Sequence, residues 1–146
     1  MADTMSIGQV AQLTGLSVHT LRFYEREGLL TSAVRRGAGG HRLYDESNLE
    51  WLEVCSKLRE SGMPLTVIRQ YADLVRQGDG NLPERLSLLR DHQKDVRAQI
   101  AALIDCLELI SFKVRLYEAY LTEGLTGDPL VSSGQTVSTA ATASAR

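Results

Sequence analysis

Five arginines crowd one short stretch of the chain: Arg22, Arg26, Arg35, Arg36 and Arg42, opposed in the same window only by Glu25 and Glu27. His19 and His41 lie beside them. A guanidinium presents a planar fork of donors that matches a pair of phosphate oxygens, so such a cluster suits a phosphodiester backbone. The chain as a whole is not basic. Its 146 residues carry 18 acidic and 16 basic side chains, a formal charge of -2. That excludes a uniformly basic coat and makes the local concentration informative. Immediately downstream the balance reverses, with Asp45, Glu46, Glu50, Glu53 and Glu60 against Lys57 and Arg59. Tyr24 and Tyr44 flank the arginines, where they either donate to phosphate oxygens or serve the core.

Other chemistry finds little support. Cys55 and Cys106 are too few and too far apart for a disulfide scaffold. Two cysteines and 3 histidines fit none of the usual zinc spacings, so no metal is expected. No Ser–His–Asp set, paired acids or Gly-rich phosphate loop points to an enzyme, and no cofactor is implied. Cys55 follows Trp51 by one helical turn on an apolar face and reads as a core thiol. Cys106 reads as an inert residue flanking the long stripe described below, and His92 as a solvated one at its edge. No run of about 18 apolar residues marks a membrane span. With no secretion signal, a cytoplasmic location is expected.

The elements that must position the arginines are legible from caps and breakers. Ser6 and Gln9 form a capping box for a helix through Val10 and Leu13 that Gly15 stops. Ser17 caps a second helix, with Leu21 and Tyr24 inward and Gly28 ending it. Two short helices about the turn Thr14–Ser17 are a helix-turn-helix candidate. Arg35–Gly40 suits a hairpin tip, and His41–Tyr44 a short strand. Asp45 is placed to cap a third helix through Trp51, Cys55 and Leu58, stopped by Gly62. A fourth runs from about Leu65 to Arg76, and Asn81, with Pro83 and Glu84, is placed to cap a fifth.

That fifth helix carries the clearest periodicity in the chain. Leu82, Leu86, Leu89, Gln93, Val96, Ile100, Leu103, Leu107, Ile110, Val114, Tyr117 and Leu121 alternate four- and three-residue spacings without a break. A core helix of a monomeric bundle would show the same stripe. The rest of the chain is too short to cover it, so a second copy is expected on Leu86, Leu89, Gln93, Val96, Ile100, Leu103, Leu107, Ile110, Val114 and Tyr117. Gln93, the polar residue of the stripe, should set register at some cost in stability. Residues 124–146, rich in Ser, Thr, Ala and Gly, are expected to be disordered, and residues 1–4 frayed.

Within this frame, Thr20-Leu21-Arg22-Phe23-Tyr24-Glu25-Arg26-Glu27-Gly28-Leu29-Leu30 resembles the recognition-helix motif of the MerR family of bacterial transcription regulators. Ile7-Gly8-Gln9-Val10-Ala11 resembles that family's first helix, and His41-Arg42-Leu43-Tyr44-Asp45 the end of its wing. Leu58–Leu65 with Ile68 resembles the turn into its fourth helix, although Pro64 stands where a capping serine is common. The resemblance spans residues 5–121. It implies a mainly α protein: a winged helix-turn-helix domain over 5–77, then a dimerisation helix over 81–123 forming an antiparallel coiled coil. It further implies a homodimer on a palindromic site in double-stranded promoter DNA, which bends and untwists that DNA so that RNA polymerase engages both promoter elements. Such a protein acts as activator or repressor.

By matched motif, Arg22 and Tyr24 carry over as contacts of the recognition helix and Arg42 as a wing contact. Val18 and His19 stand at the start of that helix, where base edges are reached. Ser17, Thr20, Arg26, Arg35, Arg36 and Tyr44 complete the expected DNA-binding set. An architectural DNA-bending protein and a coiled-coil adaptor that never meets DNA are the other readings; the arginine cluster speaks against the adaptor.

The family's metal-sensing branch carries a cysteine at the start of the dimer helix and a pair beyond its end. Here Asp79-Gly80-Asn81 and residues 124–129 hold none. The iron–sulfur branch needs a cysteine cluster in that later loop, and the multidrug branch a large extra domain. The similarity that remains is to small aldehyde- and electrophile-responsive members, through Tyr44-Asp45-Glu46 and Trp51. Their reactive cysteine falls at Lys57 here, with Cys55 nearest. A small-molecule inducer is therefore expected to act around Cys55, Trp51 and Tyr71.

Overall fold

The computed structural model describes residues 3–130. Its elements run β1 (Met5–Ser6), α1 (Ile7–Thr14), α2 (Val18–Arg26), β2 (Arg35–Arg36), β3 (Arg42–Tyr44), α3 (Glu46–Glu60), α4 (Leu65–Arg76) and α5 (Leu82–Glu123), with a 3-10 turn at Ala38–Gly40. The architecture is mainly α, with a winged helix-turn-helix core and a long final helix.

Local chemistry sets most boundaries. Ser6 Oγ accepts from the Gln9 N–H at 3.2 Å while Gln9 Oε1 accepts from the Ser6 N–H at 2.8 Å. Gly15 ends α1 in the left-handed region at φ 73°, its N–H donating to Ala11 O at 3.0 Å; a side chain there would be strained. Asp45 and Asn48 make a second reciprocal box at the start of α3, with bonds of 2.9 and 3.0 Å. Pro64 begins α4 without a side-chain acceptor; its extended backbone turns its carbonyl onto the N–H groups of Val67 and Ile68.

Asn81 departs from the expected side-chain cap. Its Nδ2 donates to Leu74 O at 2.7 Å and its Oδ1 accepts from Arg85 Nε at 2.7 Å. Arg85 also donates to Gly78 O at 2.7 Å. The carboxamide thus ties the turn before α5 to α4, and the Asn81 backbone carbonyl accepts from the Arg85 N–H.

β3 pairs antiparallel with both β1 and β2, in the order β1-β3-β2. β1 was not expected from the sequence. The wing tip turns tightly because Gly37 lies against Leu43: a Cβ there would meet Leu43 Cδ1 at 2.9 Å.

The chain divides within α5 into two units, Met1–Arg97 and Ala98–Arg146. The core lies in the first, where Val10, Leu21, Tyr24, Leu29, Leu30, Tyr44, Trp51, Leu52, Cys55, Met63, Ile68 and Ala72 are buried, and Leu88 of α5 packs against them. Each large apolar side chain so buried contributes about 1.5–3 kcal/mol. In the second unit the chain turns after α5, where the Leu125 N–H donates to Tyr120 O at 3.2 Å and Pro129 is buried. Most of the tail expected to be disordered, residues 131–146, lies outside the described residues, as do Met1 and Ala2 of the expected frayed start. Among the described residues no helix is long and apolar enough to cross a membrane.

Candidate nucleic-acid interface

The tight turn between α1 and α2 is held by side chains on the edge of the interface. Thr14 Oγ1 donates to Val10 O at 2.7 Å and accepts from the Leu16 N–H at 3.2 Å. Ser17 Oγ accepts from the Thr20 N–H at 3.0 Å and lies 2.9 Å from Thr20 Oγ1. Ser17 and Thr20 therefore fix the start of α2, between which His19 is exposed and Val18 half-buried.

Four of the expected arginines converge. Arg22 and Arg26 of α2, Arg36 of β2 and Arg42 of β3 line a cleft of about 380 Å³ together with Glu25. Glu25 Oε1 accepts from Arg36 Nη2 at 3.1 Å, and Oε2 accepts from Arg42 Nε. The Arg26 guanidinium stands over the Phe23 ring, 5.8 Å from its centroid. Arg35 is exposed on the same strand as Arg36 but does not line the cleft.

Tyr24 and Tyr44 take the core position that was one of their two readings. They are 5% and 0% exposed, so both rings fill the core beneath α2 and the wing. Burial raises both phenol pKa values; at Tyr44 the Glu25 charge adds to that effect. The Tyr44 hydroxyl is buried without a hydrogen-bond partner among the described residues.

The end of α2 is held from behind. Trp51 Nε1 donates to Leu29 O at 2.6 Å. Arg69 Nε donates to Glu27 O at 2.8 Å, and Arg76 Nη1 to Gly28 O at 3.0 Å and to Leu30 O. These donors satisfy carbonyls that follow the helix and would otherwise face the protein unpaired. Sequence reasoning missed Glu25, Arg69 and Arg76 as parts of the site.

Trp51, Tyr71 and Cys55 do come together. The Trp51 and Tyr71 ring centroids lie 5.2 Å apart. Cys55 is 1% exposed with its Sγ 4.0 Å from Leu29 O, and burial pushes its thiol up to about 12. Cys106 is exposed. His92 is not solvated as expected: it is half-buried, with Nε2 2.7 Å from Ser61 Oγ at the end of α3.

Along α5 the expected stripe is open. Leu86, Ile100, Leu103, Leu107, Ile110, Val114 and Tyr117 are all exposed, Leu103 at 68%. Gln93 is exposed, while Leu89 and Val96 are half-buried. Ile104, Leu109 and Phe112, off the stripe, are exposed as well. Among the described residues no group of His, Cys, Asp and Glu is arranged to hold a metal ion.

Comparison with known proteins accounts for this arrangement. Residues 5–74 match the family described as MerR HTH family regulatory protein, and residues 49–108 the one described as MerR, DNA binding. An HTH-type transcriptional regulator of Haemophilus influenzae is 37% identical over 115 residues, 79% of this chain and 84% of that one. The crystal structure of HiNmlR, a MerR family regulator lacking the sensor domain, bound to promoter DNA, is similar with a TM-score of 0.74 and 36% identity, over 84% of this chain and 96% of that one. A MerR family regulator structure from Listeria monocytogenes gives a TM-score of 0.77 at 26% identity, over 82% and 90% of the two chains. A wing and α2 that share one arginine cleft are features the chain has in common with these regulators: this protein belongs to the MerR family and is a DNA-binding transcription regulator.

Proposed function

We propose that the chain works as a homodimer that binds a palindromic promoter site and controls transcription by distorting the duplex. The observation that carries this reading is the convergence of Arg22, Arg26, Arg36 and Arg42 from α2 and the wing on one cleft. In it, α2 enters the major groove with Ser17, Val18, His19 and Thr20 at its leading end, and His19 reads base edges. Arg22, Arg26, Arg35, Arg36 and Arg42 engage phosphates and set the register of the protein on the DNA. The similarity to HiNmlR, solved on promoter DNA, supports the same target for this chain.

The dimer half of the reading rests on α5. Apolar side chains left open at heptad spacing over 42 residues favour pairing with an antiparallel second copy, since solvent exposure of such a stripe is costly. A rigid dimer fixes the separation of two DNA-binding units, and a site of different natural spacing must bend or untwist to satisfy both. That deformation costs about 1–6 kcal/mol and is offset by phosphate contacts. RNA polymerase is then affected through the shape of the promoter. An inducer acts at the junction of Trp51, Tyr71 and Cys55, where the donors holding the end of α2 originate. Sedimentation with and without a promoter duplex tests the reading: two chains per duplex support it, and a monomer that ignores DNA overturns it.

A further inference from the structure

Arg36 and Arg42 stand directly opposite each other across the β2–β3 pair. Like charges at opposed positions of an antiparallel pair are destabilising. Here a third residue intervenes. Glu25, on α2, is 22% exposed and gives one carboxylate oxygen to each guanidinium, Oε1 to Arg36 Nη2 at 3.1 Å and Oε2 to Arg42 Nε. Arg36 is held again by Gly40, whose carbonyl accepts from Nη1 at 3.4 Å. The contact with Arg42 occupies Nε and leaves its terminal nitrogens, and each terminal nitrogen of Arg36 spends one of its two N–H groups on Glu25 or Gly40, so both guanidiniums keep donors for a phosphate.

We propose that Glu25 is a positioning residue for DNA binding: it holds the two wing guanidiniums in place beside Arg22 and Arg26 so that the cleft receives the phosphodiester backbone. This rests on the DNA-binding reading above. A simple charge argument gives the opposite sign, because a carboxylate beside a phosphate repels it and its removal should tighten binding. Positioning outweighs repulsion. Four guanidiniums against one carboxylate leave the cleft positive, while Arg36 and Arg42 reach the bound state already ordered. A Gln side chain cannot replace Glu25 in this geometry, since its carbonyl oxygen stands in for one of the two carboxylate oxygens and its NH₂ confronts the donor of the other arginine.

The experiment measures binding of the full chain to a mixed-sequence duplex about two turns long, with Glu25→Gln and Glu25→Asp beside the wild type. A wild type that does not bind at low salt overturns the DNA-binding reading and this inference with it. Given binding, Glu25→Gln should bind roughly tenfold more weakly, the scale of re-ordering two freed guanidinium side chains. Glu25→Asp keeps the charge but falls short of Arg42, and should be weakened in the same way. In nitrogen-15 spectra the Arg42 Nε–H should exchange slowly in the wild type and fast in both variants. Binding by Glu25→Gln as tight as or tighter than the wild type overturns the inference. If Glu25→Gln does not fold, wild-type affinity in Glu25→Asp overturns it equally.

Discussion

Arg69 on α4 grips Glu27, the residue that ends α2, at two points: Nε donates to the Glu27 carbonyl oxygen at 2.8 Å and Nη2 lies 3.1 Å from Oε2. α2 is therefore anchored to the element behind it by one side chain, with Trp51 and Arg76 holding the next carbonyls.

Replacing Arg69 with alanine should remove that anchor. The pair is part-exposed, so the loss is about 1 kcal/mol, which lowers the thermal midpoint by about 4–8 °C in a domain of this size. Thermal unfolding followed by circular dichroism checks it, and an unchanged midpoint would mean that the contact is idle.

Asp45 offers a test with a pH sign. Hydrogen bonds from the Ser47 side chain and the Asn48 N–H hold its carboxyl below the usual range. A folded value below the unfolded one gives stability that is complete above the unfolded pKa of about 4 and fades as pH falls through the folded value. Asp45→Ala should cost about 1 kcal/mol near neutrality, and its deficit in urea midpoint should shrink as pH falls below the unfolded pKa of about 4. A deficit that does not change with pH contradicts the cap.

How much of this was legible beforehand follows from the range of each interaction. Both capping boxes and the stop at Gly15 involve neighbours within four residues, and residue types alone reveal them. β1 is a two-residue strand, too short to show a period. Glu25 read only as a charge set against the arginines, because its partners Arg36 and Arg42 are brought to it by the turn of the wing. Tyr44 carries the same pattern whether it faces a phosphate or the core; only the β3 pairings turn it inward. His92 meets Ser61 across 31 positions, a distance that no helical period spans.

The cysteines should separate cleanly under alkylation. Folded protein treated with iodoacetamide near neutral pH should be modified at the exposed Cys106, while Cys55, pushed up to about 12 by burial, reacts only after unfolding. Peptide mass spectrometry reads the result. Cys55→Ser should keep DNA binding, and promoter transcription in vitro that loses an aldehyde response in this variant alone would make Cys55 a sensor after all.

The α5 stripe predicts a dimer at micromolar concentration. Ile100→Asp combined with Leu103→Asp places charges in the apolar seam and should cost several kcal/mol, leaving monomers by sedimentation. A wild type that is monomeric at about 50 μM, well above ordinary interface affinities, contradicts the expected dimer.

The arginine cleft is tested most directly by the salt dependence of binding to a promoter duplex. Two copies of the cluster that neutralise about 6–8 phosphates should give a slope of log affinity against log salt of roughly -5 to -7. Arg42→Ala should weaken all sequences alike, while substitution of His19 should change the preference among them. A slope in that range supports phosphate seating by these arginines; a slope near zero on a duplex that the protein binds specifically contradicts it.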